Sequence, residues 1–432
     1  MMDSSILDLT EKHEEDTKIK SIEAFPFLPI TGTQYNTPTL IRIDIENQDE
    51  FFYPHDSWLQ IEGRLVQLQD DQPYVDQQIT LTNNGIMYCF QNMKYILGGN
   101  EMESLNNCGQ ATTMLGMARY SNSFNKGPGL AQGWYPDTTI AAEAGNVGFT
   151  KRRNYFVTSP DQNGYFSIPV PLDHIAGFAD DYDKVVYGMR HTFQMTRKAT
   201  DNDAIFRAAA PGAPAGKIVI SKITWWMPRV APSEPTETFK LYKEIENKLL
   251  IECPFRMRQC ASIALPQVSS YTWNLGVRTA PEKPRYIIIG LQTDKDDNQE
   301  HNAALFNHCN VTNMKVRLNS TEYPGTDFNA NFARNNFTGF YQGMLHFVRQ
   351  YYGVDRMISS TSVDALDYKN IFPLFYFDVT RQSERLNQSV VDISVQMNFS
   401  VNVPNGTKAY ALIISDRLVK FQSDGRKMSV IF

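Results

Sequence analysis

The sequence lacks the features that mark secreted, membrane-spanning and nucleic-acid-coating proteins. It has only five cysteines, an odd number with no Cys-x-x-Cys pair, which favours free thiols in a reducing compartment. No apolar run approaches the ~20 residues that span a bilayer, and the first twenty residues are rich in charge, unlike a secretory signal. The net charge of -6 excludes a generic protein that coats nucleic acid, although it leaves room for a basic patch on one face.

Recognisable reaction machinery is also missing. The sequence contains no GxSxG, HExxH, Walker or GxGxxG motif, and no two of its seven histidines stand in HxH spacing. His301, His308 and Cys309 lie close together in sequence, but a fourth zinc ligand at tight spacing is not visible. We therefore predict no enzymatic activity, no catalytic residues, no cofactor, no metal site and no small-molecule substrate.

Clusters of charge are present, and each has a structural alternative. The acidic run 180–183 could hold a divalent cation through carboxylate oxygens, but it lacks an EF-hand loop and also fits a solvated turn. The acidic residues within 101–103 and 294–297 could act as acid–base pairs only if they converge in space. The basic run Lys151–Arg153 could meet nucleic acid or simply begin a solvated strand.

What the chain does have is one strand pattern that occurs twice. Asn92–Leu97, with Glu101 after it, matches Asn313–Leu318, which Glu322 follows at the same spacing. A second match relates Asp173 and Val185–Val186 to Asp378 and Val390–Val391, again with equal spacing inside each pair. Because each segment is typical of a strand, the pattern predicts two β-domains of similar plan. The 432 residues, 42% of them hydrophobic, suffice for two cores.

The fold prediction is based on apolar and polar residues that alternate with a period of two. Leu40–Ile45 and Trp58–Leu65 alternate apolar and polar residues, as half-buried strands do. Trp225–Trp226 alternates in the same way, so one ring should face the core and the other a partner or the second sheet, unless both are core residues. Further strands are predicted at 85–97, 165–170, 185–197, 217–227, 249–258, 269–277, 285–293, 311–318, 373–380, 389–401 and 408–420. Many short strands and few helices predict an all-β sandwich architecture.

The remaining segments organise the chain. We predict an N-terminal arm at 1–35, a first domain at 36–230, a linker at 231–238 and a second domain at 239–432. Each domain carries a long insertion, at about 99–152 and about 320–369, and the second includes a short helix at Phe340–Tyr352. Within the arm, a short helix at 9–20 precedes the apolar anchors Phe25, Phe27 and Leu28. The arm is either a tether to a neighbouring subunit or a frayed terminus.

Four longer segments carry a family resemblance. Phe51–Leu65, Ile79–Tyr88, Asp180–Gly188 and the ending Ala409–Phe432 together resemble the hexon-like major capsid proteins of Polinton/Maverick elements and adintovirus-type DNA viruses of animals. The resemblance runs from about residue 36 to the C-terminus. It implies two tandem eight-stranded jelly rolls with long loop insertions, a double jelly roll.

The resemblance also implies a function. Three chains would form a trimeric, pseudo-hexameric capsomer that tiles an icosahedral shell around double-stranded DNA. The expected partners are further copies of the chain, penton and minor capsid proteins, and packaged DNA at the inner face, all within the virion. The candidate trimer-interface or tower-loop residues, chosen for their aromatic character in the insertions, are Tyr120, Phe124, Trp134, Tyr135, Phe328, Phe332, Phe337, Phe340, Tyr341 and Tyr351.

Three alternatives remain open at this stage. The insertion aromatics could instead pack the insertions themselves or form an exposed receptor-binding crown. The gene could be an endogenous or domesticated copy that no longer builds virions. The chain could also be a carbohydrate-binding β-sandwich, which paired carboxylates converging in a cleft would support.

Overall fold

The chain is seen in a computed structural model. It describes residues 18–30, 35–47, 49–75, 77–143, 145–157, 163–209, 212–233, 240, 242–243, 247, 250–276, 283–354, 361–381, 391–423 and 428–431. Among these residues, no helix is long and apolar enough to cross a bilayer.

The elements of the first half are mostly short strands. Its strands are β1 Ile19–Phe27, β2 Leu40–Ile45, β3 Phe51–Phe52, β4 Trp58–Gln67, β5 Ile79–Leu81, β6 Phe90–Leu97, β7 Asn100–Asn106, β8 Tyr165–Pro171, β9 His191–Arg197, β10 Ile205–Arg207 and β11 Gly216–Pro232. Its α-helices are α1 Gly85–Tyr88, α2 Cys108–Arg119, α3 Asn122–Phe124, α4 Val147–Phe156, α5 Leu172–Ile175 and α6 Gly177–Asp181.

The second half follows the same plan with longer strands. Its strands are β12 Leu250–Ala264, β13 Ser270–Asn274, β14 Lys283–Thr293, β15 Val311–Leu318, β16 Thr321–Tyr323, β17 Leu374–Asp378, β18 Ile393–Phe399, β19 Thr407–Ser423 and β20 Met428–Ile431. Its described α-helices are α7 Thr338–Tyr352 and α8 Ala365–Asn370.

The two main antiparallel sheets of each half follow the same strand order. The first half has the orders β1-β11-β4-β8 and β2-β9-β6-β7, and the second half has β12-β19-β14-β17 and β13-β18-β15-β16. The predicted repeat falls in β6 and β15, which hold equivalent places in their sheets. The four strands on each path give an eight-stranded jelly roll per half; β3 and β20 each add a short strand to one sheet, and β5 pairs with β10 in a separate two-stranded sheet. The predicted all-β double jelly roll is confirmed.

Side-chain alternation produces these strands. In β2, Ile41, Ile43 and Ile45 point into the core and are at most 2% exposed, whereas Arg42 and Asp44 form an ion pair on the other face with a 3.0 Å contact. A period of two permits this separation of apolar side chains on one face from charged side chains on the other. The buried residues of both halves form one continuous hydrophobic cluster.

Several predicted boundaries were wrong. Strand β1 occupies 19–27 of the expected arm, so the predicted helix through Lys20 does not extend past residue 18; residues 1–17 lie outside the described residues. Gly85–Tyr88 is helical, because Asn84 turns the chain with a φ of 62°. The second repeat match is not a strand pair, since Asp173 lies in α5 and Val185 in no strand. Strand β11 continues through Val230–Pro232 into the expected linker.

The expected first insertion is more ordered than a loop. Residues 99–152 contain β7, α2, α3 and the first part of α4. Because α2 is buried on nearly all sides, its sequence lacks the apolar stripe and polar face by which a surface helix is predicted. In the second half, the predicted helix at Phe340–Tyr352 is confirmed as α7.

Ile288 in β14 and Val395 in β18 test the strand assignments, because both side chains are 0% exposed. Replacing either with Asp would bury an unpaired charge, so we expect Ile288→Asp and Val395→Asp to abolish soluble protein. Val401→Asp is the matched control, since Val401 is 55% exposed. Soluble yield and melting temperature are the measurements; normal values for the two core variants would contradict the assignments.

Candidate functional site

The aromatic residues of the first insertion pack against one another. Tyr120 stacks on Phe124 with ring centroids 4.0 Å apart and meets Trp134 edge-on at 4.9 Å. The Tyr120 hydroxyl also lies 2.8 Å from Nδ1 of buried His174. Tyr120 and Trp134 are therefore core residues, whereas Phe124 and Tyr135 keep part of their surface exposed.

The second insertion repeats this behaviour. Its buried members Phe332, Phe337, Phe340 and Tyr351 contact neighbouring rings of the same half, such as Phe340 on Phe375 at 4.9 Å. Side chains already buried in their own chain leave little surface for a neighbouring subunit. These four residues, with Tyr120 and Trp134, therefore pack within their own half, and their part in an interface stays a prediction. The half-buried residues that stay candidates are Phe124, Tyr135, Phe328 and Tyr341.

The expected arm anchors divide in the same way. Phe25 lies under the Arg229 guanidinium at 4.1 Å, and Phe27 packs edge-on against Phe52 at 6.1 Å. Both rings thus fix β1 to its own sheet. Leu28, which is 57% exposed, is the one of the three anchors that keeps a free apolar surface.

A cluster of charged side chains lies where the two jelly rolls meet. Arg258 of β12 is 1% exposed and reaches into the first half, where its guanidinium pairs with the Asp180 carboxylate of α6. The same guanidinium donates to the carbonyl oxygens of Asp173, at 2.9 Å, and His174, at 3.3 Å. One side chain of the second jelly roll therefore satisfies three acceptors of the first.

Two further arginines complete this cluster, which we call the junction. Arg119 of α2 pairs with Asp173 at 2.5 Å and with Asp180 at 3.3 Å. Arg256 of β12 binds Asp181 through both carboxylate oxygens and lies 3.7 Å over the ring of Tyr351. The acidic run 180–183 is thus neither a cation site nor a wholly solvated turn, because Asp180 and Asp181 are ligands of arginines.

Glu103 is the fourth carboxyl group of the junction. Its oxygens accept from the backbone N–H groups of Arg258, at 2.7 Å, and Phe178, at 3.3 Å. The guanidinium groups of Arg119, Arg256 and Arg258 pair with the three aspartates, whereas the hydrogen bonds to Glu103 come from backbone N–H groups. Burial accordingly raises the pKa of Glu103 to about 7, although Arg258 and the backbone donors act in the opposite direction.

A second polar contact joins the halves at the loop 294–307. The fully buried Arg152 binds Asp137 at 2.8 and 2.9 Å, and Asn302 of the second half donates to the same carboxylate at 2.8 Å. In that loop, Asp297 accepts from Thr200 at 2.6 Å. The basic run Lys151–Arg153 is thus not a free basic surface, since its central residue is buried.

The sequence-level metal and acid–base candidates do not converge. His301 lies against Asp294, His308 stacks on Phe332 at 4.4 Å, and the Cys309 thiol lies 3.5 Å from the Thr293 hydroxyl. Among the described residues, no three His, Cys, Asp or Glu side chains come together as metal ligands. All five cysteines are free and buried.

Two open grooves hold several polar groups. One, of about 620 Å³, lies between β7 and β12 and contains the Glu101 carboxylate. The other, of about 630 Å³, lies beside α7 and contains Asp378, which is 3.1 Å from His346. Each of these two grooves contains a single carboxylate, so neither has the paired carboxylates expected of a glycan-processing cleft.

Comparison with known proteins identifies the family. The chain matches the double jelly roll-like domain family over residues 79–419. It belongs to that family. No curated protein matches the sequence.

Solved structures share this double jelly roll. A chain of the Sputnik virophage is 8% identical and has a TM-score of 0.61, with 100% of this chain and 92% of that chain covered. The Faustovirus major capsid protein is 10% identical, with a TM-score of 0.56 and coverage of 96% and 92%. The mavirus major capsid protein is 9% identical, with a TM-score of 0.54 and coverage of 99% and 93%. At these identities the likeness is one of fold.

The junction arginine provides a stability test. Arg258→Met would leave Arg119 as the remaining guanidinium for both the Asp180 carboxylate and the Asp173 carbonyl oxygen, and would remove the Arg258 donor from the His174 carbonyl oxygen. Breaking a buried pair in this way should lower the free energy of unfolding by about 3–5 kcal/mol. Lys184→Met is the control, because the Lys184–Asp183 pair is exposed and worth at most about 1 kcal/mol. Equal effects of the two variants in urea unfolding would contradict the role of the junction.

Glu103 provides a pH test. Its folded pKa of about 7 exceeds the ordinary value of 4.5, so its contribution to stability is full below pH 4.5 and is lost as pH rises through 7. Glu103→Gln removes this loss. Between pH 5 and 8, the free energy of unfolding of the variant should therefore rise relative to the unsubstituted protein by about 3 kcal/mol. Glu101→Gln, on the same strand but exposed, should give a curve parallel to that of the unsubstituted protein; parallel curves for Glu103→Gln would refute the assignment.

Proposed function

We propose that this chain is a viral major capsid protein whose trimers form pseudo-hexameric capsomers that tile an icosahedral shell around double-stranded DNA. The observation that carries the proposal is the fold, which matches the Faustovirus and mavirus major capsid proteins over 96% and 99% of this chain. A fold shared over nearly the whole length leaves little of the chain for an added catalytic domain.

The junction suits this role. A pseudo-hexameric unit made from three chains needs each chain to present two jelly rolls in a fixed relative orientation. Arg256 and Arg258 fix that orientation through directional bonds to α5 and α6, and Asn302 does so through Asp137. Closed rotational symmetry then limits the capsomer to a finite number of chains.

The partners follow from the same proposal. The chain binds further copies of itself, then penton and minor capsid proteins, and it resides in the virion, with packaged DNA against the inner face. Leu28 and the half-buried insertion residues Phe124, Tyr135, Phe328 and Tyr341 are the candidate contacts that retain exposed surface. An endogenous copy of such a gene would share these properties except shell formation.

The solution mass of the purified protein tests the proposal. Light scattering behind a sizing column should give three times the chain mass of 49.3 kDa. Electron microscopy should then show closed shells under assembly conditions. A monomer at micromolar concentration would contradict the capsomer, and trimers that never form shells would favour an endogenous copy.

The arm proposal is tested in the same assay. A variant lacking residues 1–17 keeps β1 and should form trimers but fewer shells, whereas removal of residues 1–28 also deletes β1 and should reduce stability. An unchanged shell yield without residues 1–17 would refute the tether.

A further inference from the structure

The two jelly rolls differ in the outer face of one sheet. In β14 every side chain from Tyr286 to Gln292 is buried, and in β19 every side chain from 409 to 415 is buried. In the equivalent strand β4, burial alternates, so that Gln60, Glu62 and Arg64 keep exposed surface. The sheet of the second jelly roll is therefore covered on both faces, whereas that of the first is covered on one.

The first half supplies part of this cover. Met114 of α2 lies with its Sδ 3.0 Å from the position that a Cβ would take at Gly290. The Tyr376 hydroxyl, on the same outer face, donates to the Met114 carbonyl oxygen at 3.1 Å. The insertion of the first jelly roll thus lies on the outer face of the second jelly roll's sheet. Such a contact is heterologous, and a heterologous contact can be repeated between copies until a ring closes.

The equivalent outer face of the first jelly roll carries an aromatic patch. Trp58 and Trp226 are cross-strand partners whose rings stack with centroids 5.9 Å apart and planes 12° apart. Pro26 of β1 pairs with Trp226, and Pro171 of β8 pairs with Trp58, so one apolar row crosses all four strands. We call these four residues the tryptophan row.

The surroundings of the tryptophan row resemble an interface more than a core. Next to it, Gln60 donates to the Ser167 hydroxyl at 2.6 Å, and Lys222 lies 3.7 Å from Glu62. Large aromatic residues inside a polar rim are the usual anatomy of a protein interface that is exposed before assembly. By contrast, the Trp225 ring beside Trp226 is fully buried in the core, whereas Trp226 and Trp58 keep part of their surface exposed.

We propose that the tryptophan row is the surface on which the second jelly roll of another copy of this chain docks. The incoming segment is the insertion between β16 and β17, which occupies the place that the α2 insertion occupies in the first half. It brings Phe328 and Tyr341, whose rings are half-buried. This inference rests on the proposed trimeric capsomer and specifies the contact that closes it.

Two charge variants test the proposal. Trp226→Glu and Trp58→Glu place a carboxylate in the row, and each should raise the dissociation constant of the trimer at least ~30-fold. At a concentration where the unsubstituted protein is trimeric, both should then scatter as single chains of 49.3 kDa with an unchanged circular dichroism spectrum. Leu40→Glu is the matched control, since Leu40 is a 49% exposed apolar residue on the other sheet of the same jelly roll. It should remain trimeric.

A measurement on the unsubstituted protein covers the case in which a variant misfolds. Trp134, Trp225 and Trp273 are at most 5% exposed, so Trp58 and Trp226 are the tryptophans that a soluble quencher such as acrylamide reaches in the single chain. In the trimer, quenching should fall to the level of buried tryptophan and recover on dilution to monomers.

The outcomes separate the two proposals. A monomeric unsubstituted protein would overturn the capsomer and this docking surface together. A trimer that survives both tryptophan variants, or whose tryptophans stay quenchable, would overturn the docking surface alone and leave the capsomer in place.

Discussion

The match between buried charges at the junction is the constraint on which the arrangement of the two jelly rolls depends. Three guanidinium groups and three aspartates lie where apolar packing would otherwise decide the contact, and an ion pair in such surroundings is favourable only when its geometry is satisfied. A shift of one jelly roll by a few ångströms would separate Arg256 and Arg258 from their carboxylate partners Asp181 and Asp180. Apolar contacts alone tolerate such sliding much better, so the ionic cluster sets the relative position of the halves.

The β-fold could be predicted from local patterns because each strand buries one face. The bounds predicted for Leu40–Ile45 are those of β2, since its alternation reports directly which side chains enter the core. The recurrence at Asn92 and Asn313 placed one equivalent strand in each half. The predictions failed where structure depends on distant residues. Helix α2 has no polar face, because the second jelly roll covers the side that would otherwise meet water, and β1 was assigned to the arm because its pairing partner β11 lies at the far end of the first half.

The junction could not be predicted for a related reason. Asp180, Asp181, Arg256 and Arg258 each stand in charged or mixed sequence that is typical of solvated turns and strand ends. Only their approach in space, across about 75 residues, makes them partners. The sequence does contain one signal of the junction. Arg256 and Arg258 share a face of a strand that is otherwise rich in apolar residues, and two cations on such a face need negatively charged partners. The surroundings of the aromatic insertion residues could not be predicted either, since aromatic rings in irregular segments can serve an interface or a local core equally well.

The two-sided burial of the β14 and β19 sheet has a consequence for how the protein is made. A ribosome completes the first jelly roll before the second, and domains generally fold as they emerge. The outer face of the sheet of the first jelly roll is largely polar apart from the tryptophan row, although its helix α2 waits for the second jelly roll to cover it. The sheet of the second jelly roll depends on the first half for part of its cover, since Met114 of α2 lies over Gly290 and accepts from the Tyr376 hydroxyl. The N-terminal half is therefore already made when the C-terminal half needs this cover, whereas the reverse order of synthesis would leave the outer face of the β14 and β19 sheet without α2 until the end.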